Sequence, residues 1–308
     1  MIHTFTLNPS IDYYLKVKGK PMAEEVNRGT DSLFKAGGKG LNVSRVLSVL
    51  DVPSKAIVLL GGFTGDYIRS ECEKDENIEL IPIQVRGNNR INVKARFDSE
   101  TLCINAEGPE ADEETKRKLL EVIGQLTEED TAVISGSMMR GFDEEDLVRL
   151  SEKIRERKAK LVIDMEHVSL PILKRCRPDL IKPNLYELQI LTKDPSIDKE
   201  TAEKALQRLT EEGIQSILLS LGKKGAILAD RESFLCLDQP DTDLINKVGA
   251  GDAMLAGFLG ILEKTGDKEL ALRYAGAAGN ATASQLEDIT EETTRRHLPQ
   301  MSVRKIRI

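Results

Sequence analysis

Asp252 is a single carboxylate set between a glycine turn and a long apolar run. In NKVGAGDAML (246–255) two glycines flank an alanine and Asp252 follows at once; AMLAGFLGIL (253–262) then continues in apolar or small residues. Gly249 and Gly251 permit backbone conformations and close approaches that a side chain would block. A helix starting near Ala250 leaves its first amides without internal partners, pointing outward with partial positive charge. Such a helix start holds anions. Asp252 in that first turn has two readings: an acid favourable to the helix dipole, or a base beside an anion hole. The apolar run would anchor the turn in the core, and a catalytic group needs that rigidity.

A second glycine turn, KAGGKGLNVSRVLSVLDV (35–52), opens another helix. Gly37, Gly38 and Gly40 let the chain approach a ligand, Lys39 adds a positive charge, and Asn42 offers an amide for hydroxyl groups. The same residues also suit a plain tight turn capped by Asn42. The first turn, at 249–251, is not a familiar nucleotide loop. No Lys-Ser or Lys-Thr follows the glycines of 249–251, and Met254 stands where the third glycine of GxGxxG belongs. A Walker-type NTPase and a dinucleotide dehydrogenase are both disfavoured.

Other chemistries find little support. Cys72, Cys103, Cys176 and Cys236 are scattered without a CxxC pair, and His3, His167 and His297 complete no metal set. A serine hydrolase would need a GxSxG turn, which is absent. The chain carries 44 basic and 51 acidic residues, a net charge of −7, with no long basic run. A nucleic-acid partner is therefore not expected, and a phosphate ligand must be held by local cations. The longest apolar run is about half of the ~20 residues a bilayer helix needs. The opening MIHTFTLNPS lacks a charged leader region and a cleavage site, so a cytoplasmic protein is expected.

These groups need a scaffold, and the chain's 308 residues, 40% of them hydrophobic, allow a large core. Strand-like runs are IHTFTL (2–7), KAIVLL (55–60), TAVIS (131–135), KLVID (160–164), DLIKP (179–183) and SILLSLG (216–222). Amphipathic helical patterns cover 112–126, 143–158 and 199–213, the last ending on Gly213 as a C-cap. Apolar strands alternating with helices predict an α/β fold with a mostly parallel sheet covered on both faces. Residues 11–36 and 82–107 break this rhythm. Their alternation reads as half-wet strands, an antiparallel piece projecting from the main sheet, serving either as a lid over the site or as an edge extension.

AGGKGLNVSRVL (36–47) and VGAGDAMLAGFL (248–259), in that order, resemble the two signature segments of the PfkB (ribokinase-like) carbohydrate kinase family. SGSMMRG (135–141), IKPNLYEL (181–188) and SLGKKGA (220–226) match further family blocks. TLNPSID, GGKGLNVSRVL and RINVK resemble the branch acting on sugar phosphates, 1-phosphofructokinases first and tagatose-6-phosphate kinases next. The matches run from residue 2 to about 284. The resemblance implies one kinase domain over 1–308, a three-layer α/β/α fold, and the 11–36 and 82–107 strands as a β-sheet lid. A homodimer through that lid is implied as well.

The resemblance also implies a reaction and roles for named residues. The γ-phosphoryl group of ATP, with Mg²⁺, passes to a hydroxyl of a phosphorylated ketohexose, most simply fructose 1-phosphate. Asp252 matches the base, and the amides of Gly249, Ala250, Gly251 and Asp252 match the anion hole. Asp12, Gly38, Asn42 and Ser137 match sugar-binding positions. Lys39 and Arg90 are the cations for the acceptor's own phosphate, with Arg28 and Arg140 in reserve. Lys182, Asn184, Ser220, Gly222, Gly225, Gly276 and Asn280 match the nucleotide site. Glu187 matches an acid that holds magnesium through water. Two positions depart from the pattern: Lys247 replaces a small hydroxyl residue, and Met138 and Met139 replace Leu-Pro, which predicts a looser loop. The competing readings are a kinase for a neutral sugar or nucleoside and a non-catalytic nucleotide- or sugar-sensing module.

Overall fold

The computed structural model describes residues 1–98, 100–240, 245, 248–285 and 287–306. A ten-stranded sheet runs, edge to edge, Ser302–Ile306, Phe234–Asp238, Ala226–Asp230, Ser216–Ser220, Leu180–Ile181, Lys160–Met165, Thr131–Gly136, Ile2–Thr6, Ser54–Leu60 and Ile78–Gln84. The seven strands from Ser216–Ser220 to Ile78–Gln84 are mutually parallel. The remaining three pair antiparallel at one edge. All six strand-like runs read from the sequence lie in this sheet; the edge strands and Ile78–Gln84 escaped that reading. Residues 82–84, expected in the projecting piece, belong to the main sheet.

Both faces of the sheet are covered, which is why its strands read as unbroken apolar runs. Ala132, Ile134, Leu161, Ile163, Ile217 and Leu219 pack on one face with Leu119, Leu147, Ile154 and Leu206 of surrounding helices. Val133, Val162 and Leu218, the residues between them, face the other way onto Leu47, Ala253, Leu255 and Leu272. Strand side chains alternate, so one apolar strand feeds two cores. The three predicted helices are Glu113–Ile123, Glu144–Glu156 and Ala202–Glu211. Asp112 and Asp143 cap the first two through their side chains, and Gly213 follows the third with a φ of 109°.

A four-stranded sheet stands apart, in the order Gly29–Gly37, Ser10–Val17, Arg90–Phe97 and Glu100–Asn105. Its outer pairs are antiparallel, but its central pair, Ser10–Val17 with Arg90–Phe97, is parallel. The expectation of a wholly antiparallel piece is corrected here. Both central strands leave the main sheet from strands that run the same way, Ile2–Thr6 and Ile78–Gln84, so they project side by side in one direction.

Candidate active site

The glycine turn before Asp252 forms as its residues dictate. Gly249 adopts a left-handed conformation (φ 80°) and caps the helix Ala250–Thr265, whose first-turn amides have no helical acceptors. Asp252 is buried in that turn. Its Oδ2 accepts a 2.8 Å hydrogen bond from Asn42 Nδ2, on the helix Lys39–Val49 that follows the other glycine turn. The caps differ from the sequence expectation: that second helix is capped by Gly38 with no side-chain hydrogen bond. Asn42 is free to orient the carboxylate instead. Gly251 lies where an added Cβ would come within 3.2 Å of Lys182 Nζ, so a lysine stands against the turn.

Behind these groups sits Asp164, at the end of the strand Lys160–Met165 and 1% exposed. Its Oδ1 is 3.3 Å from Lys182 Nζ and 3.8 Å from Lys39 Nζ, and its buried Oδ2 has no hydrogen-bond partner among the described residues. Burial and the Asp164 charge push the Asp252 carboxyl up to about 6, against the Asn42 hydrogen bond and the charges of Lys182 and Lys39. Burial alone would lower Lys39, but Asp164, Asp252, Glu166 and Glu187 outweigh it and hold that ammonium above its ordinary value. The result is a buried carboxylate beside the side chains of Lys39 and Lys182, an arrangement able to accept a proton.

Asp252 opens onto a cleft of about 710 Å³. Lining it are Asp12, Gly38, Lys39, Asn42, Arg90, Lys182, Asn184, Glu187, Ser220, Gly222 and Asn280, together with residues 249–252. An adjoining cavity of about 130 Å³ shares Gly38, Lys39, Arg90 and Glu166 with the cleft and adds Ser137. Asp12 is held by three donors: Lys94 Nζ at 2.6 Å, Asn92 Nδ2 at 3.0 Å and Ser10 Oγ at 3.0 Å. Lys94 also meets the Tyr14 hydroxyl at 3.2 Å and lies over its ring. In Arg90, Nη2 donates to Asn8 O at 3.1 Å while the buried Nε has no protein partner. Burial lowers its pKa, though an arginine remains charged.

Several sequence-derived positions sit elsewhere or have local explanations. Gly276 does not line the cleft: a Cβ there would strike Leu237 Cδ2 at 2.5 Å and Met301 Sδ at 2.8 Å, so it serves close helix packing. Gly225 also stands outside; it takes a φ of 94°, and a Cβ would lie 2.0 Å from Leu237 O. Asn184 and Glu187 form a reciprocal capping box on the helix Leu185–Thr192, which explains their spacing locally. Arg140 pairs with Glu107 at 3.7 Å on the surface, and Arg28 is exposed outside the cleft lining. The loop with the two methionines is not loose: Met139 is buried, and Asn8 Nδ2 bonds Ser137 Oγ at 3.2 Å and Met138 O at 3.4 Å. Lys247 lies outside the described residues. Sequence reasoning passed over Asp164, Glu166, Asn92 and Lys94, isolated polar residues in or beside strands. The apolar run VID before a charged end was the only local signal for Asp164.

Among the described residues no helix is long and apolar enough to cross a membrane. The model of the pfkB family carbohydrate kinases matches residues 6–295. The chain is 35% identical over 306 residues to 1-phosphofructokinase of Bacillus subtilis (strain 168), covering 99% of this chain and 100% of that one. It is 34% identical over 287 residues to D-tagatose-1-phosphate kinase of Bacillus licheniformis, covering 92% of each. Phosphofructokinase-2 from Escherichia coli, solved with substrates and products, superposes with a TM-score of 0.89 at 26% identity, over 97% of this chain and 98% of that one. The fold, the paired glycine turns and these matches agree, and the chain belongs to the pfkB family of carbohydrate kinases.

Proposed function

We propose that this kinase moves the γ-phosphoryl group of magnesium–ATP to a hydroxyl of a phosphorylated ketohexose, and that its acceptor is fructose 1-phosphate. One observation carries the reading: groups able to hold an anion gather in two places, at the helix start that bears Asp252 and in the adjoining small cavity. The first is the helix start at 249–252, with Lys182 against it. The second is the small cavity bearing Lys39 and Arg90, where Thr6 Oγ1, Asn8 Oδ1, Ser135 Oγ and Arg90 Nε are buried without partners among the described residues. Unpaired buried polar groups are costly unless a ligand completes them. A neutral sugar needs only the first site; a sugar phosphate uses both.

In this reading the acceptor hydroxyl gives its proton to Asp252 as its oxygen bonds the γ-phosphorus and the bond to ADP breaks. Asn42 orients Asp252, and the amides of Gly249, Ala250, Gly251 and Asp252 stabilise the equatorial oxygens. Asp12, fixed by Lys94 and Asn92, holds sugar hydroxyls. Lys182, Asn184, Ser220, Gly222 and Asn280 line the arm of the cleft assigned to the nucleotide. Magnesium supplies charge neutralisation on the phosphates. Glu187 fits it through water only, because its Oε2 already caps Asn184 N at 2.8 Å and the described residues contain no three-acid cluster. The whole chain is read as one domain, with the four-stranded sheet as its lid.

A panel of fructose 1-phosphate, fructose 6-phosphate, tagatose 1-phosphate, tagatose 6-phosphate and fructose, with ATP and magnesium, tests this by ADP release. Fructose 1-phosphate should show the highest kcat/KM, and fructose should fall roughly 10²-fold or more below it, for loss of charge-assisted bonds to two cations. Fructose used as well as its phosphates would remove the second site's meaning. Highest activity on a tagatose phosphate would keep the mechanism and change the acceptor, an outcome made specific by the D-tagatose-1-phosphate kinase relative.

The reading includes a homodimer through the lid. Leu33, Phe34, Leu102 and Ile104 are exposed on the two edge strands of the small sheet, where apolar edges invite pairing. Light scattering should give twice the mass of one chain, and Leu33→Glu with Ile104→Glu should give one chain's mass. A wild-type monomer at micromolar concentration would sink this part.

A further inference from the structure

Glu166 is an acid placed where anions should bind. It follows the strand Lys160–Met165, in a turn whose next residue, His167, takes a left-handed φ of 62°. It lines both the cleft and the small cavity. Its Oε1 stands 3.2 Å from Lys39 Nζ, and its side chain is 54% exposed. Among the described residues lining that cavity, Lys39 and Arg90 carry the positive charge and Glu166 the negative. Its field reaches Arg90 as well as Lys39. Lys39 already has a buried counter-charge in Asp164 on its inner side, at 3.8 Å. The lysine therefore does not need Glu166 to remain charged.

We propose that Glu166 is a built-in competitor for the acceptor's phosphate: its carboxylate occupies Lys39 when the cavity is empty, swings toward solvent when the phosphate enters, and so sets the affinity of that subsite. The inference rests on the proposed function, in which this cavity takes the phosphate that the acceptor already bears. The side chain is long and half exposed, so leaving Lys39 requires no repacking. A dianion entering the cavity breaks one exposed ion pair and then sits near a displaced like charge. Exposed pairs weigh roughly 2–5-fold in affinity, and the remaining repulsion across a partly wet cavity adds to this. An acceptor that also grips Asp12 through its hydroxyls tolerates the competition better than bare phosphate does.

The test is calorimetric, on the full-length protein without ATP, titrating fructose 1-phosphate and, separately, inorganic phosphate. Glu166→Gln should bind each roughly 3–10-fold more tightly than wild type, with the KM for ATP unchanged in a parallel kinetic assay. In a Lys39→Met background the same Glu166→Gln change should give a clearly smaller gain, because the part that runs through that lysine is gone and only the repulsion remains. Unchanged affinity in Glu166→Gln overturns the proposal. Weaker binding overturns it too, since Glu166 would then be holding the acceptor. A gain that persists undiminished in Lys39→Met also counts against it. If no ketohexose phosphate binds either protein, the proposed function fails, while the inorganic phosphate titration still decides the role of Glu166.

Discussion

Asp252→Asn should lose turnover by roughly 10²–10⁴-fold while its affinity for ATP stays within a few-fold. Asparagine keeps the shape and can still accept the Asn42 hydrogen bond, so the loss isolates the proton acceptor. The helix-start amides remain and leave a residual rate. Two pH signatures accompany this. The free carboxyl ionises at about 6, so wild-type kcat/KM should fall tenfold per pH unit below that value and level off above it. The second signature is in stability. An unfolded aspartate titrates near ~3.9, so the folded protein binds this proton more tightly than the unfolded chain. The contribution of this group to stability then falls as pH rises from about 4 to about 6 and stays lower above it, by roughly 1–3 kcal/mol. Asp252→Asn removes that penalty. It should melt higher than wild type near pH 8, with the difference closing toward pH 4. Near-normal turnover in the variant would overturn the assignment of Asp252 as base. A variant that melts no higher near pH 8 would show that its buried charge is better compensated than its surroundings indicate.

Arg90→Ala should raise the KM for the sugar phosphate roughly 10–100-fold, with the KM for ATP moving less than about threefold. The guanidinium lines both the cleft and the small cavity, one end tied to Asn8 O and Nε unpaired. A phosphate there would take that unpaired donor. Arg90→Lys should recover only part of the loss, because an ammonium lacks the planar fork that grips two oxygens. Equal rises in both constants would mean that Arg90 supports the small-sheet strand Arg90–Phe97 rather than the acceptor. A melting curve on each variant separates that structural role, since loss of the bond to Asn8 O affects every ligand alike.

Much of this site could be read from adjacent residues. The turn at 249–252 was legible because two glycines followed by an apolar run mark a buried helix start within a dozen positions. The six strands of the main sheet were legible because burial on both faces writes an apolar run into the sequence. Gly225 and Gly276 show the opposite case. A glycine that admits a ligand and one that admits a neighbouring Leu237 look alike in sequence, and only the distances separate them. Glu187 is similar: the spacing that suggested a metal-linked acid is also the spacing of a capping box. The parallel pairing at the centre of the small sheet was invisible because strand direction depends on where each strand leaves the main sheet.

The class of fold, the two glycine turns and a carboxylate in the first turn of a buried helix are all written in local propensity and periodicity. Tertiary structure alone decided which charges meet. Asn42 reaches Asp252 across 210 positions, and Asp164 stands between two lysines from different elements. Electrostatic influence depends on distance through space and on burial, and neither is written in the spacing of residues along the chain.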